Sequence, residues 1–185
     1  MLELYHGSNQ TIEQIDLALC KPYKDFGRGF YLTDILQQAL DMAYRRTRVV
    51  GSGIPTVTKY LFDEKFLRNG SLKVLSFDQP SKEWAKFILA NRDRKSKFIH
   101  DYDVVGSGIP TVTKYLFVEK KSKFIHDYDV VIGPIADDGV AFQLQKFKDG
   151  GITLNELVKE LTYKHMNHQY FFGTEKAISL LQRIL

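Results

Sequence analysis

Short apolar runs rich in β-branched and aromatic residues recur along the chain, most of them ended by Gly, Pro or Asp. They predict strands at Glu3–His6, Gly29–Leu32, Thr56–Phe62, Leu72–Phe77, Tyr128–Gly133 and Gln169–Gly173. Apolar positions at helical spacing predict helices over Asp34–Arg48, Ser81–Asn91, Leu154–Thr162 and Glu175–Ile184. The first helix sets Ile35, Leu36, Ala39, Leu40 and Ala43 on one face, with Thr33 placed as its N-cap. The third opens with Thr153-Leu154-Asn155-Glu156, the spacing of a capping box. The last has Thr174 as cap and Glu175 in the first turn, where a carboxylate suits the helix dipole. Strands and helices do not alternate regularly, which argues against a doubly wound parallel sheet. The pattern fits a single α+β domain over residues 1–185, built on two curved, mostly antiparallel sheets.

One feature interrupts this pattern. Residues 49–62 read VVGSGIPTVTKYLF, and residues 104–117 read the same. Residues 95–105 read KSKFIHDYDVV, and residues 121–131 repeat it at an offset of 26 (121 − 95). Solenoid repeats are similar rather than identical and need three or more copies. Two perfect copies indicate a duplicated unit within about 95–131 on a working domain of 159 residues (185 − 26). The strand-like run Thr111–Phe117 inside that unit has no obvious partner. It must join a sheet edge, swap between subunits or lie on the surface.

Composition narrows the class. The chain is 44% hydrophobic and 13% aromatic, enough for a real core and unlike a disordered segment. A net charge of +4 permits a nucleic acid partner without arguing for one. The basic groups Arg45, Arg46, Arg48 and Arg92, Arg94, Lys95, Lys97 read as a solvated helix end and a solvated loop. Cys20 is the single cysteine, so neither an intrachain disulfide nor a cysteine-based zinc site is available, and no metal is expected. No N-terminal signal pattern is present, and no run approaches the roughly 18 apolar residues of a membrane helix. A cytoplasmic protein without membrane partners is the expectation.

Three short segments carry candidate chemistry. In Leu4-Tyr5-His6-Gly7-Ser8, a glycine beside a histidine allows a flat ligand close to the backbone. The Gly7 N–H and C=O can then grip a carboxamide, and the His6 ring can bond a ribose hydroxyl. A surface histidine ahead of a turn is the competing reading. In Asp25-Phe26-Gly27-Arg28-Gly29, two glycines able to take positive φ feed into Phe30-Tyr31-Leu32. Tyr31 should point opposite to Phe30 and Leu32, offering a ring for stacking. Arg28 can meet a pyrophosphate bidentately, or be an ordinary solvated turn arginine. The glycines are too few for a Rossmann or P-loop cradle. In Asn167-His168-Gln169-Tyr170-Phe171-Phe172, Gln169 opens an aromatic strand.

In order, these segments resemble the His, Tyr and Glu strands of poly(ADP-ribose) polymerases and diphtheria-type toxins, with Gln169 where glutamate stands. The chain resembles still more a family of small bacterial proteins of the ADP-ribosyltransferase-like superfamily. The shared pattern is the Asp25–Thr33 run, Gln38-Ala39, the Ile132–Asp138 run and Asn167–Tyr170, and on that comparison glutamine is usual. The resemblance implies a split β-sandwich holding NAD in a cleft and transferring one ADP-ribose to a macromolecular acceptor, protein or nucleic acid. It implies that His6, Gly7, Ser8, Arg28, Gly29 and Tyr31 bind NAD, and that His6, Tyr31 and Gln169 are the catalytic set. It further suggests a toxin or defence effector, with an antitoxin as possible partner. A glutamine accepts a hydrogen bond but supplies neither charge nor base. Slow transfer, replacement of the charge by Asp25, Asp137 or Asp138, or NAD binding without turnover all remain open. A degenerate nucleotide-binding module is the alternative to an enzyme.

Overall fold

The computed structural model describes residues 1–92, 98–103, 111–117, 126–136, 138–162 and 167–184, with backbone alone for 98–103, 111–117, 138 and 162. Two sheets organise it. The first contains β1 (Leu2–Ser8), β3 (Thr56–Phe62) and β9 (Gln182–Ile184) in the order β1-β3-β9, all antiparallel. The second contains β2 (Phe30–Leu32), β4 (Val74–Ser76), β7 (Val130–Pro134) and β8 (His168–Phe172) in the order β2-β8-β7-β4. There β4 and β7 run parallel while the other pairs are antiparallel.

Alternation along the second sheet separates two cores. Phe30, Leu32, Val130 and Phe172 meet Leu4, Tyr60 and Phe62 of the first sheet in one hydrophobic cluster. On the opposite face Leu75, Val131 and Phe171 pack with Trp84, Phe87 and Ile88 of α2 (Lys82–Arg92), Val140 and Leu144 of α3 (Asp138–Lys148), and Leu157 and Leu161 of α4 (Leu154–Thr162). Helix α1 (Leu36–Val50) lies against β1. Its approach depends on Gly7: a Cβ there would sit 2.0 Å from the Ala39 carbonyl oxygen, a clash of backbone with side chain that no rotamer relieves.

The helix ends follow their local chemistry. Thr153 and Glu156 form the expected capping box: Thr153 N–H donates to Glu156 Oε2 at 2.7 Å, and Glu156 N–H to Thr153 Oγ1 at 3.3 Å. Thr174 caps α5 (Glu175–Ile178) by accepting from Ala177 N–H. Thr33, expected to cap α1, instead stands two residues before the N-cap Ile35, accepting from its N–H and donating to Gln38 Oε1. Two expectations are corrected. The helix foreseen over Glu175–Ile184 stops at Ile178, because Gln182–Ile184 gains a strand partner in β3. Helix α3 was not foreseen, although Ala141, Gln143, Leu144, Gln145 and Lys146 favour helix; the unfavourable Gly139 stands in its first turn.

The strand at Thr111–Phe117 does find a partner. As β6 it pairs antiparallel with β5 (Phe98–Asp103), drawn from the duplicated unit itself, in a separate two-stranded sheet with a register shift at Asp101/Tyr102. Among the described residues, no helix is long and apolar enough to cross a membrane.

Candidate active-site cleft

A cleft of about 950 Å³ opens where the two sheets part. Residues from three distant parts of the chain line it: His6, Gly7 and Ser8 of β1, Gly29 and Tyr31 around β2, and Gln169 of β8. The sheets are joined at its edge by an isolated bridge. Tyr5 N–H donates to Thr33 O at 2.7 Å, and Thr33 N–H to Tyr5 O at 3.0 Å. The Tyr5 polar groups therefore face away from β3, and antiparallel alternation turns those of Gly7 the same way. Beyond the bridge the Gly7 N–H and C=O are left facing the gap, without a partner among the described residues.

His6 spans the gap from the other side. Its Nδ1–H donates to the Tyr31 carbonyl at 2.8 Å and its ring stacks on Phe30, centroids 4.4 Å apart. With Nδ1 carrying the proton, Nε2 of the neutral ring is an acceptor. Burial lowers the His6 pKa; the Tyr31 carbonyl opposes this, while the positive charges of Lys24 and Arg46 add to it.

Tyr31 points opposite to Phe30 and Leu32, as alternation requires. Its ring packs edge-on against Phe171, centroids 5.3 Å apart. The phenol closes the preceding turn by donating to Gly27 O at 2.8 Å and accepting from Phe26 N–H at 3.0 Å. Burial, then the carboxylate of Asp25, raises its pKa well above the ordinary value, so the group keeps its proton. The two glycines of this turn differ in role. Gly27 holds φ 91°, which favours glycine. Gly29 does not need a positive φ: a Cβ there would lie 2.2 Å from the Phe171 ring.

Gln169 lies on the same face of β8 as Phe171 and is 9% exposed. Its Nε2–H donates to Asp25 Oδ2 at 2.8 Å. Asp25 is 8% exposed and bound on every side. Its Oδ1 accepts from Arg92 Nη2 at 2.6 Å and Nε at 2.9 Å, and its Oδ2 also accepts from Ala136 N–H at 3.1 Å. Arg92 Nη2 further donates to Ala136 O at 2.7 Å. A carboxylate facing the amide fixes which end of the amide is which, since Oε1 in that place would meet like charge. Oε1 of Gln169 is consequently the end left without a partner among the described residues.

Arg28 is not part of the cleft lining. It is exposed and its Nη1 donates to Ala18 O at 2.9 Å. The cleft's cations are Lys21, Lys24 and Arg46. Burial lowers the Lys24 pKa, with Asp25 opposing the effect.

Residues 2–183 match a family model described as "Protein of unknown function (DUF3990)". The chain belongs to the DUF3990 family. No curated protein and no solved structure matches it.

In this DUF3990 chain the expected residues His6, Gly7, Ser8, Gly29, Tyr31 and Gln169 line one cleft, and Arg28 lies outside its lining. Lys24 was not singled out in the sequence, and Arg46, read as part of a solvated helix end, lines the cleft. Arg92 was read as part of a solvated loop, but it ends α2 half-buried against Asp25. A signal for Arg46 existed: Ala39, Met42, Arg46 and Val50 fall on one helical stripe, and all four line the cleft. Of the carboxylates considered as substitutes for the missing glutamate, Asp25 touches Gln169. Asp137, Arg94, Lys95 and Lys97 lie outside the described residues, as does the side chain of Asp138.

Proposed function

We propose that this chain is a mono-ADP-ribosyltransferase that binds NAD in the cleft between its two sheets, with a split β-sandwich as scaffold. The observation that carries the reading is convergence: side chains at positions 6, 31 and 169 line one cleft of about 950 Å³. Four further features support it. The Gly7 N–H and C=O form a donor–acceptor pair suited to the nicotinamide carboxamide. The Tyr31 ring offers an apolar wall for nicotinamide. His6 Nε2 and Gln169 Oε1 are acceptors for ribose hydroxyls. Lys24 and Arg46, rather than Arg28, supply the positive charge for a pyrophosphate.

The reaction follows from these roles. The bond between nicotinamide nitrogen and ribose C1′ breaks, and its electron pair leaves with nicotinamide. Positive charge develops on the ribose, and a nucleophile of the acceptor forms the new bond to C1′ and loses its proton. Gln169 holds the ribose through Oε1 and orients it, while the electrostatic demand of the oxocarbenium-like stage must be met by fixed dipoles and charges around it. The biological expectation of a toxin or defence effector acting in the cytoplasm belongs to the same proposal.

Incubation with NAD and a cell lysate tests this reading. ADP-ribose on a macromolecule, together with released nicotinamide detected by mass spectrometry, is the expected outcome. Absence of both with folded protein contradicts it. One observation favours a second reading, an NAD-binding module without turnover: position 169 carries an amide and not a carboxylate. A rise in melting temperature with NAD but no released nicotinamide, for the wild type and for Gln169→Glu alike, selects that module.

A further inference from the structure

Gln169 is held from behind by a buried carboxylate. The Nε2–H to Asp25 Oδ2 bond of 2.8 Å lies away from the cleft, and Asp25 itself does not line the cleft. Arg92 takes the other oxygen, Oδ1, leaving Oδ2 to face the amide. An amide whose N–H donates to a carboxylate is polarised, with more negative charge drawn onto its carbonyl oxygen. The end of Gln169 that this strengthens is the end left open to the cleft.

On the proposed NAD reading, we infer that Asp25 is the positioning residue of this site. It orients the Gln169 amide and transmits negative charge to Oε1, while Arg92 anchors Asp25 and keeps it buried. The charge absent from position 169 is thus located one hydrogen bond further back. No covalent step passes through Asp25, and its proton balance does not change during the reaction.

The arrangement makes an unusual prediction about Gln169→Glu. A glutamate there would set a second carboxylate against Asp25 across the present 2.8 Å contact, with the donor gone. Restoring the acid should therefore harm this protein while Asp25 is in place. The double variant Asp25→Asn, Gln169→Glu exchanges donor and charge and should relieve the carboxylate conflict, at the cost of the acceptor that Oδ2 now gives the Ala136 N–H.

Four proteins decide the question: wild type, Asp25→Asn, Gln169→Glu and the double variant. Each is assayed for nicotinamide release at saturating NAD, for the NAD-induced rise in melting temperature, and for thermal stability without ligand. A 15N spectrum of the glutamine side-chain amides, assigned by comparison with Gln169→Glu, reports the bond directly. Asp25→Asn should lower kcat by about tenfold or more, less than the 10²–10³ of a lost direct contact, with little change in KM. The Gln169 amide resonances should shift in the same variant. Gln169→Glu should melt below wild type and release less nicotinamide, and the double variant should recover both in part. Wild-type kcat in Asp25→Asn overturns the inference while leaving the proposed function intact. A Gln169→Glu protein as stable as wild type and faster also overturns it, and this comparison stands even if Asp25→Asn fails to fold. A folded double variant that recovers stability but not kcat reduces Asp25 to a structural role. If wild type neither binds NAD nor releases nicotinamide, the proposed function fails, and the inference fails with it.

Discussion

The two copies of the repeated sequence behave alike in one part and differently in another. Thr-Val-Thr-Lys-Tyr-Leu-Phe forms a strand at 56–62, between β1 and β9, and again at 111–117, against β5. His-Asp-Tyr-Asp is strand at 100–103 but lies outside any strand at 126–129, ahead of β7. The first segment is dense in β-branched and aromatic residues and keeps its form with different partners. The second carries two aspartates and a histidine, which compete for backbone groups, and its form is set by what surrounds it. At 126–129 the surroundings are specific. His126 Nε2 lies 2.7 Å from Phe26 O. Asp129 accepts from Lys73 N–H at 2.8 Å and from the Thr174 hydroxyl at 2.6 Å, and its carbonyl accepts from Gly173 N–H at 2.9 Å. Those contacts anchor the entry to β7, whose neighbour β8 carries Gln169.

The largest effect is expected where the context that holds the first copy is removed. Gly7→Ala sets a Cβ against the Ala39 carbonyl and should separate α1 from β1, the strand that pairs with β3. A loss of about 3 kcal/mol in chemical denaturation is expected. Next comes Asp129→Ala, which removes the acceptor of the Lys73 N–H and of the Thr174 hydroxyl proton and should cost about 1–2 kcal/mol. An unchanged denaturation midpoint would contradict the claim that these contacts anchor the entry to β7.

The stability that His126 contributes depends on pH. Burial lowers the pKa of His126, with the Phe26 carbonyl and Asp127 opposing the effect. As pH falls through about 6.5, the unfolded chain takes up a proton that folded His126 resists, so stability present above that pH is lost below it. Burial gives His6 the same sign. Melting temperature followed from pH 7 to pH 5 should fall less steeply in His126→Gln than in wild type. The smallest effect is expected from deleting residues 95–120, which joins Arg94 to Lys121 and removes the duplicated unit. The stability of the remaining 159 residues (185 − 26) should change by no more than about 1 kcal/mol, or a few degrees. A collapse of the fold would mean that the β5–β6 hairpin supports the rest.

Much of this architecture was legible in the sequence because local preference and tertiary context agree there. Thr56–Phe62 and Leu154–Thr162 occupy the ranges that their patterns indicate. Tyr31 and Gln169 fall on one face because strand alternation and the β2–β8 register leave no other place. What was not legible depends on long-range pairing. Gln182–Ile184 is a strand only because β3 has a free edge for it. Arg92 is far from Asp25 in sequence, and a basic residue at a helix end carries no mark of a distant carboxylate. Arg28 drew notice for its place between two glycines, yet the turn that those glycines allow sends it to Ala18. Gly7 was read as room for a ligand; its Cα face is filled by α1, and only its backbone edge faces the cleft.

A crystal structure of the protein soaked with NAD decides whether the cleft between the sheets holds the dinucleotide. The nicotinamide ribose is expected within hydrogen-bond distance of Gln169 Oε1, the carboxamide on the Gly7 backbone, and the Asp25 contact to Gln169 Nε2 retained. NAD bound elsewhere, or an empty cleft at saturating NAD, would contradict that expectation.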